Sequence, residues 1–324
     1  MAEVTFLEAI REALFEEMAR DERVFVIGED VGPIGGAFRV TEGLLARYGD
    51  TRVVDTPISE SAIIGASIGA AYMGLRPVAE LQFIDFITTC FDMITSVAAT
   101  SRYRTGAGVP MVVRGPCGAG VSGGPFHSAN PEALFLNTAG IKIVEPSTPY
   151  DAKGLLKAAI RDDDPVLFFE HKLLYRRLKD TLPADDYIVP IGKAIVRRAG
   201  SDLTIVTFGA MVHVALDAAD VLAGEGVETE VVDLRTLAPL DRDAILTSVA
   251  KTSKVIVLHE ASRTGGIGGE VAAIVAEEAF PYLDGPVMRV AALDVPVPYS
   301  PPLEKASLPN VEKLIAAAKK LIRY

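Results

Sequence analysis

Short apolar runs alternate with helical segments along nearly the whole chain, and this alternation restricts the possible folds more than any single motif does. Val24-Phe25-Val26-Ile27 is fully apolar and of strand length, as expected for a strand buried on both faces of a parallel sheet. Further runs lie at 52–54, 77–82, 109–113, 141–144 and 165–169, with helices expected near 4–20, 41–48, 60–74, 85–104, 131–138 and 149–161. Thr5 followed by Glu8 opens the first helix as a capping box, and Phe6, Ile10, Leu14 and Met18 recur at helical spacing. Strand-helix alternation predicts a doubly wound, parallel α/β sheet. A polar, proline-punctuated stretch at 175–200 interrupts the rhythm, so a boundary is placed near 185, giving domains 1–185 and 186–324. Apolar runs at 203–208, 231–232, 255–258 and 287–292, with helices near 211–224, 241–250, 269–279 and 309–322, predict a second α/β unit.

At 324 residues the chain can bury two cores of ordinary size. A net charge of −11 argues against a non-specific nucleic-acid binder, which needs a basic surface. The longest charge-free apolar stretch, 61–75, is too short to span a bilayer, and the N-terminus carries Glu3 and Glu8 rather than an apolar signal region. Cys90 and Cys117 make neither a disulfide framework nor a zinc site, and each is read as a buried small residue. The expected compartment is the cytoplasm.

Several residues could carry chemistry. In Asp55-Thr56-Pro57-Ile58-Ser59-Glu60, Pro57 stops the strand and Ser59 is a candidate N-cap. Glu60 then falls in the first turn of a helix, at the positive end of its dipole. It is either an ordinary dipole-complementing carboxylate or one held beside a ligand, and the segment leaves both open. His127 ends a glycine-rich loop at 115–128 that lacks the Gly-Lys-Ser/Thr ending of a phosphate loop. Gly32-Pro33-Ile34-Gly35-Gly36 is not a dinucleotide fingerprint. His171, His213 and His259 are read as structural. The run Gly265-Gly266-Ile267-Gly268-Gly269 reads as a tight turn or as an anion seat at a helix start.

In order and spacing, DTPISE, GLRPVAELQFIDF, RYRTG and His127-Ser128 resemble the β subunits of the thiamine-diphosphate-dependent first component of 2-oxo acid and acetoin dehydrogenases. The likeness runs from about residue 4 to the C-terminus. It implies a pyrimidine-type thiamine-diphosphate-binding fold followed by a transketolase C-terminal-like domain. It makes Glu60 the carboxylate that faces the aminopyrimidine nitrogen, and His127 an acid–base group on the thiazolium side. It adds Glu29, Ile58, Ser59, Gln82 and Phe86 as cofactor contacts. It also implies a potassium ion held by carbonyls of Met111, Ala159, Ile160, Asp162 and Asp164, where some relatives carry Asn at the last position.

The Gly-Asp-Gly motif that serves magnesium in this family lies on an α subunit and is absent here. The resemblance therefore implies half of an active site, completed in an α2β2 heterotetramer, with a lipoyl-bearing acyltransferase second component as acceptor. Segments around Phe83–Asp92 and Glu170–Tyr175 favour pyruvate or acetoin as substrate. Asn130-Pro131-Glu132-Ala133 and Arg102-Tyr103-Arg104 look like branched-chain relatives. A split transketolase-like enzyme and a non-catalytic assembly subunit are the rival readings.

Overall fold

The computed structural model describes residues 3–324, so the first two residues of the expected first domain lie outside the described residues. Two compact units emerge. One contains residues 3–117 and 134–191. The other contains 118–133 and 192–324, so the glycine-rich loop belongs with the C-terminal half of the chain.

In the first unit the strands lie in the order Lys142–Val144, Val166–His171, Val112–Cys117, Arg76–Glu80, Val24–Glu29, Val53–Thr56, and all these pairings are parallel. The strand interiors are buried, which is why they read as unbroken apolar runs. Neighbouring strands approach closely at Gly28, where an added Cβ would lie 2.5 Å from the Glu80 carbonyl oxygen. The helix Phe6–Arg20 begins on the expected Thr5–Glu8 capping box. Its Glu16 and Glu17 pair with Lys157 and Arg161 of the helix Pro149–Arg161.

The structure corrects the sequence-derived elements in three places, the first being the run expected at 109–113, which is the strand Val112–Cys117 and takes in the first residues expected of the glycine-rich loop. Residues 85–104 do not form one long helix. They form a 3₁₀ segment (Ile84–Cys90), a π segment (Met93–Ala98) and a short α-helix (Ser101–Thr105). Side chains compete here for the backbone carbonyls: Thr89, Thr95 and Thr100 hydroxyls donate to the carbonyls of Phe86, Phe91 and Ser96. Ser59 precedes the helix Glu60–Tyr72 but does not cap it with its side chain. Its hydroxyl donates back to the Pro57 carbonyl at 3.0 Å instead.

In the second unit the strand order is Met288–Ala292, Val255–Ser262, Leu203–Thr207, Thr229–Asp233, Ile195–Arg198. The first four pair in parallel and the last is antiparallel. The edge strand Ile195–Arg198 and the short helix Pro301–Ser307 were not legible in the sequence. The helices Met211–Ala223, Arg242–Thr252, Gly268–Glu278 and Val311–Leu321 lie where periodicity put them. Among the described residues no helix is long and apolar enough to cross a membrane.

Candidate active site

In an open parallel sheet, ligands bind beyond the carboxyl ends of the strands. Three neighbouring strands of the first unit end on the residues singled out above. Glu29 closes Val24–Glu29, in register with Thr56, the last residue of Val53–Thr56. Glu60 follows four residues later as the first residue of its helix. Gln82 stands two residues beyond Arg76–Glu80.

These groups meet. Glu29 is 6% exposed, and its Oε1 has no hydrogen-bond partner. Burial, and then the neighbouring Glu60 carboxylate, raise the Glu29 carboxyl above the usual carboxylate range, while the Ser59 amide opposes the shift. Gln82 Nε2 donates to Asp30 Oδ2 at 2.9 Å, which ties it to the residue after Glu29. The Ser61 hydroxyl donates to the Thr89 carbonyl at 2.6 Å and fixes the start of the Glu60 helix to the segment that carries Phe86. Cys90, at the end of that segment, is buried, and its thiol is pushed up to about 12 by burial and by Glu60. It is therefore inert as a nucleophile. Ile58 is 81% exposed, so nothing in this chain covers an apolar side chain two residues before Glu60. A buried acceptor without a donor, two neighbouring carboxyls and an uncovered isoleucine fit a heteroaromatic ring carrying N–H groups.

His127 lies in the second unit, at the end of a 3₁₀ turn Gly124–Phe126, and is half-buried. His171 and His259 are buried, as a structural role requires. Burial, and then Arg289, push His259 down to about 4, so its ring is neutral. That ring explains two glycines of the run, Gly266 and Gly268. A Cβ on Gly266 would lie 2.4 Å from His259 Cε1, and one on Gly268 would lie 2.7 Å from Nε2. Close packing, rather than an anion, accounts for these glycines.

The turn assigned to potassium is an acidic loop held by cations. Arg76 Nη1 donates to the carbonyls of Ile160 (3.0 Å) and Asp162 (2.9 Å). The Met111 carbonyl accepts from Val166 N–H at 3.0 Å, and that of Ala159 from Asp162 N–H at 3.3 Å. Asp162, Asp163 and Asp164 pair with Lys142, Arg76 and Arg102. Each of the four carbonyls keeps a second lone pair, and neutral oxygen donors suit a hard monovalent cation. Among the described residues no cluster of three or more His, Cys, Asp or Glu is placed to hold a metal ion.

The sequence reading missed a buried ionic group one layer below Glu29. Arg114 is fully buried. It grips Glu170 with two bonds of 2.5 and 2.6 Å and also pairs with Glu80. Tyr175 Oη donates to Glu170 at 2.7 Å. Burial, then Glu170, raise the Glu80 carboxyl against the pull of Arg114. Glu80 and Arg114 are register partners on neighbouring strands, a pairing that no local pattern in the sequence shows. A second overlooked group is Glu132 in the other unit. It is buried, with no hydrogen-bond partner for either carboxyl oxygen, and burial and then Glu260 push it up to about 7. Its folded-state value lies above its unfolded one, so it stabilises most at low pH and the benefit is lost as pH rises towards 7. Glu132→Gln is therefore expected to raise the melting temperature over the native chain at pH 8 and to lose that advantage at pH 4.5, as read by thermal denaturation across that range.

Comparison with known proteins agrees with this architecture. Residues 2–177 match the transketolase pyrimidine-binding domain and residues 192–314 the transketolase C-terminal domain. The chain is 52% identical over 327 residues to the 2-oxoisovalerate dehydrogenase subunit beta of Bacillus subtilis (strain 168). It is 46% identical over 326 residues to the pyruvate dehydrogenase E1 component subunit beta of the same organism. In both cases 100% of each chain is covered. Among solved structures, a split-gene transketolase described as an inactive β4 tetramer superposes with a TM-score of 0.81 at 24% identity. That match covers 99% of this chain and 98% of the other and speaks to the fold. The chain thus belongs to the family of 2-oxo acid dehydrogenase E1 β subunits, assembled from a transketolase pyrimidine-binding domain and a transketolase C-terminal domain.

Proposed function

We propose that this chain is the β half of a thiamine-diphosphate-dependent 2-oxo acid dehydrogenase, acting in an α2β2 heterotetramer that passes an acyl group to a lipoyl-bearing second component. The observation that carries the reading is the Glu29–Glu60 pair at the strand ends, with its unpartnered buried oxygen. Thiamine diphosphate, when bound, supplies the nucleophilic carbon that cleaves the bond next to a 2-oxo group. Glu60 would be the residue that exchanges a proton with the aminopyrimidine, and the adjacent Glu29 would accept a donor on its unpartnered Oε1. Ile58, Ser59, Gln82 and Phe86 would hold the ring in place and exclude water. His127 carries protons to and from the reacting group, a task suited to imidazole near neutral pH.

Magnesium is assigned to the α subunit, because this chain lacks the motif that would bring donors to a diphosphate. The helix Glu60–Tyr72 supports an α partner. Its small residues Ala62, Ala66 and Gly69 are exposed, and an added Cβ at Gly65 or Gly69 would meet nothing within 4 Å. Potassium at the Met111, Ala159, Ile160, Asp162 and Asp164 carbonyls is proposed from the donor type. It predicts a higher melting temperature in potassium chloride than in sodium chloride at equal ionic strength, and equal values would remove the ion from the assignment. Cytoplasmic placement rests on the two buried cysteines, Cys90 and Cys117, which form no disulfide.

The sequence favoured pyruvate or acetoin, whereas identity is higher to the 2-oxoisovalerate relative than to the pyruvate one. A branched-chain 2-oxo acid is therefore the second reading. The test is co-expression with an α-type subunit, titration with thiamine diphosphate and magnesium, and a turnover screen with pyruvate, acetoin and branched-chain 2-oxo acids. Tight binding only by the pair is the expected result. Equally tight binding by this chain alone would overturn the shared site.

A further inference from the structure

The loop that carries His127 is rich in glycine, and the amides of Ala119, Gly120 and Ser122 are taken up by side chains of this chain. Near the loop's two ends, Glu260 accepts from the Ala119 amide at 2.7 Å and from Asn130 Nδ2 at 3.0 Å. In the middle, Glu304 accepts from the Gly120 amide at 2.9 Å, from the Ser122 amide at 3.2 and 3.1 Å on its two oxygens, and from the Ser122 hydroxyl at 3.3 Å. Just before His127, Gly124 has φ of +65°, and a Cβ there would lie 2.1 Å from Tyr299 Cε1. The loop is thus closed on itself by side chains that lie far along the chain, in the same compact unit.

Glu304 is 5% exposed and sits on the short helix Pro301–Ser307. The Gly120 and Ser122 amides converge on this one carboxylate, and bonds to a charged acceptor are roughly twice as strong as neutral ones. Removing the carboxylate leaves the Gly120 and Ser122 amides without their acceptor, so the loop must re-route to satisfy them. His127 stands only five residues beyond Ser122, with a single glycine pair and a 3₁₀ turn between.

We infer that Glu304 is a positioning residue for His127: its carboxylate fixes the path of the glycine-rich loop and, through it, the place of the imidazole. This rests on the acid–base role proposed for His127 and extends the catalytic apparatus to a residue of the C-terminal domain that touches no reacting atom.

The test uses the assembled heterotetramer and the variants Glu304→Ala, Glu304→Gln, His127→Ala and the double variant Glu304→Ala/His127→Ala. Steady-state acylation of a lipoyl acceptor and amide hydrogen exchange of the 118–128 peptide are both measured. Glu304→Ala is expected to lower kcat by about 10- to 100-fold, the scale of a displaced catalytic group, with KM for the oxo acid unchanged. Exchange in 118–128 rises while that of the Leu203–Thr207 strand does not. Glu304→Gln, which keeps one carbonyl acceptor and the side-chain volume, recovers most of the activity and serves as the readout if the alanine variant fails to assemble. In the double variant the loss equals that of His127→Ala alone. Unchanged exchange, full kcat in the alanine variant, or a loss that adds to that of His127→Ala would each overturn the inference. If His127→Ala itself keeps full turnover, the acid–base reading of His127 falls separately, and loop exchange still reports whether Glu304 holds the loop.

Discussion

Glu60→Gln, introduced into this chain and assembled with its α subunit, is expected to lower turnover by about 10²- to 10⁴-fold, the range for removing a general acid–base group. Gln preserves the volume and one acceptor oxygen, so the helix Glu60–Tyr72 and its exposed small-residue face should be undisturbed. What is lost is the ability to hold or release a proton beside Glu29. KM for the oxo acid should change little, since the role proposed for Glu60 is toward the cofactor rather than the substrate. Steady-state kinetics together with size-exclusion chromatography checks this. An intact assembly with the α subunit and full turnover would leave the chain only a scaffold role.

The second large effect concerns stability. Arg114 is a fully buried cation between Glu80 and Glu170. Arg114→Met leaves two carboxylates facing each other without a counter-charge, and breaking a buried pair on one side costs roughly 3–5 kcal/mol. The variant should melt well below the native chain, by thermal or urea denaturation. Replacing the whole group, with Glu80→Gln and Glu170→Gln added, should recover much of the loss, because neutral amides need no buried counter-charge. Should Arg114→Met alone melt with the native chain, the ionic group contributes nothing to stability. The position matters beyond stability, since Glu80 ends the strand that leads to Gln82 and the Gly28 backbone packs directly against the Glu80 carbonyl.

How much of this was legible depends on range. The helix at Phe6–Arg20 was readable because its cap and its apolar spacing are local: Thr5 and Glu8 are three residues apart. The parallel strands were readable because burial on both faces leaves no polar alternation to confuse them. Residues 85–104 were not, because apolar spacing says nothing about hydroxyls turning inward to compete for carbonyls. The edge strand Ile195–Arg198 was hidden by composition. Arg197 and Arg198 read as connector, yet their charges are met by Asp233 and Asp220.

For the site, the sequence by itself determined which residue types were available and where the chain turns: Glu29 and Glu60 each follow a strand, and His127 ends a glycine-rich loop. Only the tertiary structure decided what those residues face. It set Glu29 beside Glu60 through the Glu29–Thr56 register, filled the glycine-rich loop with Glu260 and Glu304, and placed Arg114 between two carboxylates from neighbouring strands. The physical reason is separation along the chain. Caps, turns and periodicity act over a few residues, whereas the Glu304 contact spans 184 residues and the Arg114–Glu170 contact spans 56. A charge met at that distance leaves no local pattern, and only the sheet order brings its partner alongside.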